Sequence, residues 1–327
     1  MQISDLDQVP PAHRLTAHAP TRGGFFQHHG AWALGVRLFR NLRFATKAWL
    51  ISLAFLVPLA LLAFAFLRSQ QATIEFARHE LAGAAVIGKL EPWLIEAQRQ
   101  RRLLLSGLTA TLDWTAIEKQ QAQVRALVDS LPHGLDLRRE LAAVEAQQQA
   151  LKAQSAGAGA DALEAPLQEF VEALRQFRAT VLDRSNLTLD PDQDSYYLMS
   201  LSTDVLTDVI ESISRSRALA GAAARRGATT PRQLHGLYGV WYLGRERVAA
   251  ITQAASHAGE ANADVARRLQ PEEAVKAALA FYEASAQSWF QGEFDADVQR
   301  LSQPGQAAVD SLRALGKRAN ELLVERL

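Results

Sequence analysis

Residues 185–199 read SNLTLDPDQDSYYLM and hold the side chains best suited to ligation: three alternating aspartates, one asparagine and two adjacent tyrosines. Asp190, Asp192 and Asp194 stand at the first, third and fifth positions of a calcium loop. The pattern fails beyond them. Ser195 occupies the place that needs glycine for the sharp turn, and Leu201 the place of the bidentate glutamate. A helix start accounts for the acids instead. Asp190 serves as the N-cap, Pro191 as the first helical residue and Gln193 as the returning side chain of a capping box. Asp192 then lies in the first turn, where the helix dipole favours negative charge. This reading leaves Asn186, Tyr196 and Tyr197 unexplained, since a helical core has no need of two adjacent phenols.

Other chemistry is absent from the pattern. The chain has no cysteine, which excludes disulfides, thiolate metal sites and a cysteine nucleophile. No phosphate-cradling glycine loop, dinucleotide fingerprint, zinc-protease helix or nucleophile elbow occurs. His79, His133, His235 and His257 are widely separated and read as surface or loop residues. His13, His18, His28 and His29 share no helical spacing. No cofactor or metal is expected, and nothing argues for an enzyme. Basic and acidic residues balance at 35 each, against the basic excess of a nucleic-acid binder.

The composition favours helices: alanine, leucine, glutamine, glutamate and arginine dominate, and glycine is low at 19 of 327 residues. Residues 48–67, AWLISLAFLVPLALLAFAFL, carry no charge and are long enough to span a bilayer core of ~30 Å. Ahead of them stand Arg37, Arg40, Arg43 and Lys47, interleaved with Leu38, Phe39, Leu42 and Phe44. This basic flank puts the N-terminus in the cytoplasm and residues 68–327 outside. It also has the makings of a short helix at the lipid surface. Residues 1–30, rich in proline, glycine and histidine, read as a disordered tail.

Beyond the span the pattern is helical throughout, with no stretch of strand alternation. Ile74, Ala77, Leu81, Ala84 and Gly88 form the first stripe, Pro92 is a candidate kink, and the first break is expected near Leu112. Thr115 and Glu118 make a candidate capping box, and Pro132-His133-Gly134 a helix end. Residues 155–160 are a small, uncharged loop. A long helix over residues 192–224 follows, with Arg225-Arg226 as an exposed loop. Thr230-Pro231-Arg232-Gln233 and Pro271-Glu272-Glu273 start further helices, and a last one covers about 306–327. The expected fold is all-α: a cytoplasmic tail over 1–47, a transmembrane helix over 48–67, and an elongated periplasmic helical bundle over 68–327. The bundle is of one or two four-helix type.

SNLTLDPDQDSYYLM resembles a segment of the extracytoplasmic sensory regions of methyl-accepting chemotaxis proteins, and of related membrane histidine kinases and diguanylate cyclases. RLFRNLRFATKAWLISLAFLVPLALLAF is similar to their basic flank and first membrane helix. The resemblance covers residues 36–327. It implies a periplasmic ligand-binding region in the inner membrane that pairs as a homodimer and reports to the cytoplasm. Such receptors continue through a second membrane helix and an output domain. Here no second apolar run follows, so the expectation is a fragment or a receptor without output.

A small anionic or amino-acid-like ligand would need arginines at a helix interface. Arg101, Arg102, Arg215 and Arg217 are the candidates, with Asn186, Asp190, Tyr196 and Tyr197 as polar contacts. Two further readings stay open: the input region of a kinase or cyclase, and a membrane-anchored helical scaffold with no small ligand, which predicts an exposed apolar patch.

Overall fold

The computed structural model describes residues 42–131, 134–189, 192–291, 294 and 300–327. Among them only helices and turns occur, with no strand, so the all-α expectation holds. The chain divides into two units, residues 1–70 and 71–327.

Helix α1, Phe44–Leu105, belongs to both units. Its first part is apolar and exposed around its whole circumference, with Trp49, Phe55 and Phe64 more than half uncovered. It is long and apolar enough to cross a membrane. The helix runs through Pro92 and ends seven residues earlier than expected. Gly107 explains this. It takes a left-handed φ of 71°, and the Leu108 N–H bonds back to the Leu103 carbonyl at 2.9 Å. That is a glycine-terminated helix end, and only glycine takes it without strain. The stripe that packs inward also differs: Ala84 is buried, whereas Ile74, Leu81 and Gly88 are exposed. Val86, Ile87, Leu90, Trp93, Leu94 and Ala97 form the buried face.

In the second unit α1 is followed by α2 (Trp114–Asp129), α3 (Arg138–Ser155) and α4 (Glu164–Arg184). Asp113 caps α2, accepting from the Ala116 N–H at 3.1 Å. The Thr115–Glu118 box does not form, because the helix starts earlier and Thr115 lies inside its first turn; Glu118 pairs instead with Lys152 of α3. Trp93 of α1 donates to Gln148 of α3 at 3.1 Å, and Arg184 of α4 pairs with Glu140 of α3 at 2.7 Å.

The long helix of the second half has three segments: α5 (Gln193–Ser200), a π-helical turn over Leu201–Val205, and α6 (Leu206–Arg226). The helix extends two residues past its expected end, so Arg225 and Arg226 form its last turn and are no exposed loop. Both pair with Asp161, and Arg226 also with Glu164. Helices α7 (Pro231–Ala261), α8 (Ala263–Leu269), α9 (Glu272–Trp289) and α10 (Ser302–Arg326) complete the unit. Helix α7 opens with the capping box expected at Thr230 and Gln233. The Trp241 indole N–H of α7 donates to Ser285 of α9 at 2.9 Å, and Tyr282 of α9 reaches Ser212 of α6 at 3.1 Å. One apolar core, from Ala84 of α1 to Leu323 of α10, runs through the unit.

Candidate functional site

The aspartate–tyrosine stretch serves the architecture. Asn186 takes a left-handed φ of 66° just after α4, and its carbonyl accepts from Leu189 at 2.8 Å. Asparagine tolerates this conformation better than most residues, which explains its presence at the helix exit. Asp190 and Pro191, the expected cap, lie outside the described residues. Asp192 takes the N-cap position and Gln193 is the first helical residue, two residues later than the capping-box reading requires. Asp194 accepts from the Asn262 amide at 2.8 Å and lies 3.7 Å from Arg326 Nε, which ties α5 to the α7–α8 junction and to α10. Tyr197 packs against the His257 ring at 4.8 Å, and the half-exposed Tyr196 meets Tyr197 edge-on. These residues do not meet the candidate arginines. Nineteen positions separate Tyr196 from Arg215 on one continuous helix, roughly 28 Å at ~1.5 Å per residue.

The arginines fall into two groups. Arg101 is 1% exposed and forms a two-pronged ion pair with Glu211 of α6, at 2.8 and 3.0 Å. Its guanidinium also donates to Gln168 of α4 at 2.5 Å, and Gln98 donates to Glu211 at 2.8 Å. Arg101 is therefore already neutralised, and it locks α1 to α4 and α6. Its Nε–H nevertheless has no acceptor among the described residues.

Arg215 lies one turn beyond Glu211 and is half-buried, and among the described residues no hydrogen bond or ion pair engages it. Burial pulls its pKa below the ordinary arginine value, and Arg101 adds to this, while Glu211, Glu164 and Glu172 oppose it. Three clefts converge on it. One of about 500 Å³ is lined by Arg101, Leu105, Gln168, Ala218 and Leu219 among others. A second, about 440 Å³, reaches Arg226 and Arg232. A third, about 350 Å³, reaches Arg175, Asp208 and Arg247. Several neighbouring charges are paired off: Arg175 and Arg247 both hold Asp208, and Arg226 holds Asp161 and Glu164, whereas the lining residues Arg232 and Glu169 have no ion pair among the described residues.

Arg102 and Arg217 form the other group. Arg217 is 8% exposed, and its guanidinium donates to the Ser302 carbonyl at 3.0 Å. Burial, then the charge of Arg102, lowers its pKa to about 10, against the pull of Asp310. Arg102, half-buried, has no ion pair among the described residues. Neither lines the three clefts.

A polar cluster that the sequence did not reveal surrounds the π turn. Asp204, inside that turn, is pushed up chiefly by burial, with Asp208 adding and Arg178, Arg247 and Arg175 opposing. Arg178 of α4 is lowered to about 10, chiefly by burial and then by Arg175. Glu91 of α1 is raised by burial against Arg313 and Arg178. Their spacing carries no signal, because five helices and the π turn contribute to the cluster. Compared with protein-family models, curated proteins and solved structures, the chain finds no match.

Proposed function

We propose that this chain is the membrane-anchored sensory region of a chemoreceptor-like transducer. Its N-terminus lies in the cytoplasm, α1 enters the inner membrane over residues 48–67, and residues 71–327 form helical bundles in the periplasm. The observation that carries the reading is Arg215. A guanidinium partly withdrawn from water with no partner is costly to hold, and a ligand anion would supply what the protein withholds. Arg215 also lies one turn from the buried pair that holds α1, so occupancy of its cleft bears on the helix that enters the membrane. A ligand that binds one packing of α1 better than another shifts the population towards it. Exposed Ile74 and Leu81 on α1 and Val324 on α10 are a seam for a second copy, giving the homodimer.

The scaffold reading has one observation in its favour. Tyr238, Tyr242 and Leu243 are exposed on α7, and the first two stack at 5.8 Å. A hybrid separates the two. Residues 1–327 are joined through a second membrane helix to the cytoplasmic half of a working chemoreceptor. We expect a metabolite panel to contain a compound that changes kinase output, and Arg215→Met to abolish that response. A hybrid that inserts and folds but ignores the whole panel would sink the sensory reading.

A further inference from the structure

The chemistry left unspent in the cleft shared by Arg101 and Arg215 identifies a ligand class. Of its two arginines, Arg101 is committed to Glu211, and Arg215 has no direct ion pair among the described residues, although Glu211, Glu164 and Glu172 lie near enough to favour its charge. Gln168 spends its carbonyl oxygen on Arg101, which leaves its amide nitrogen without a partner among the described residues. Arg101, which also lines the cleft, keeps a buried Nε–H with no acceptor among the described residues. One wall is apolar, built from Leu105, Ala165, Ala218 and Leu219. The acids Asp161, Glu164 and Glu169 also line the cleft; Arg226 holds the first two, and Glu169, with no ion pair among the described residues, opposes a second negative charge. About 500 Å³ lies within the range of small-molecule sites.

We infer that this cleft binds an amphipathic monocarboxylate, an aromatic or medium-chain acid. Its carboxylate pairs with Arg215 and accepts from the Gln168 amide, and its apolar body lies on Leu105, Ala218 and Leu219. A bidentate guanidinium–carboxylate pair fixes the head group, and burial of the tail supplies most of the remaining affinity. Two charges on one ligand would bring the second towards Glu169, so dicarboxylates and phosphate are excluded by repulsion. The inference rests on the sensory reading but adds to it, because a sensor could take another ligand.

The test is calorimetric titration of the full chain in lipid nanodiscs with benzoate and octanoate, with succinate and inorganic phosphate as contrasts. We expect a saturable monocarboxylate signal, at least tenfold weaker in Arg215→Met and lost in Ala165→Trp. Ala165→Trp fills the cleft from an exposed helix position and leaves the charges in place. Arg245→Met, an exposed arginine paired only with its neighbour Glu246, should bind as the parent does. No binding of either acid, equal binding by Ala165→Trp, or tighter binding of succinate or phosphate would each overturn the ligand class. A hybrid receptor that answers a different compound through Arg215 would leave the sensory reading standing, so the two failures are distinguishable.

Discussion

Arg101 and Glu211 are a costly pair of side chains to disturb. Both are nearly inaccessible, and each is the other's main compensation. Removing one strands a buried charge, so Arg101→Met should lower stability by about 3–5 kcal/mol in urea unfolding. The double variant Arg101→Met/Glu211→Met should recover much of that loss, because it strands nothing. Equal losses in the single and double variants would show that the pair is not what holds these helices. Gly244 is a second sensitive position. A Cβ there would overlap the Ser212 hydroxyl and the Tyr282 phenol, which bond to each other across α6 and α9. Gly244→Ala should therefore cost about 1–3 kcal/mol, read as a lower thermal midpoint. At this scale the sequence was half legible. Arginine at inward positions of a helix marks Arg101 and Arg215 as unusual, but nothing in the spacing tells which of them meets Glu211, 110 residues away. At Asn186 and the tyrosines residue type is ambiguous, because turn geometry and a ring contact with His257 use the side chains that ligation would also use.

The π turn at Leu201–Val205 is the element least expected from the pattern. The Leu206 N–H bonds to the Leu201 carbonyl, which widens the helix by one residue and leaves nearby carbonyls short of their usual donors. Hydroxyls fill the deficit. Thr203 donates to the Met199 carbonyl and Thr207 to that of Thr203, both at 2.7 Å. Thr203→Val and Thr207→Val keep the shape and should each cost about 1 kcal/mol. Unchanged stability in both would show that the hydroxyls do not support the turn. Glu91 and Asp204 give the neighbourhood a pH signature. Both are raised by burial, so the folded state holds its protons when the unfolded chain has released them. Their stabilising contribution is complete below the ordinary carboxylate range and declines as pH rises through it towards the folded values. Glu91→Gln should remove its share: relative to the parent, the variant should gain stability from pH 4 to pH 7. A constant difference over that interval would contradict the burial of Glu91. Helix period was readable over every long segment because apolar residues repeat at three and four. The π turn was not, since one inserted residue keeps the stripe of Leu198, Leu201, Val205 and Val209 intact.

For the whole molecule, the apolar run of α1 was plain in the sequence, because 20 uncharged residues have few other uses. The order of helices after it was also legible from caps and breaks such as Thr230 and residues 155–160. Which helices pack together was not, since a helical stripe says that a face is buried without naming its partner. The orientation is testable because the chain has no cysteine. Ser256→Cys places one thiol on an exposed face of α7. A membrane-impermeant maleimide should label it in cells with a permeabilised outer membrane and an intact inner one. Labelling only after lysis would place the helical region inside and contradict the periplasmic assignment.

The central claim is that a small ligand at the Arg215 cleft alters how α1 packs. Spin labels at Lys89 of α1 and Lys317 of α10, both exposed, would follow that packing in the full chain in nanodiscs. Pulsed dipolar spectroscopy should show the distance distribution shifting between two populations when benzoate is added, and no shift in Arg215→Met. A ligand that binds with full occupancy and leaves the distribution unchanged would contradict the account.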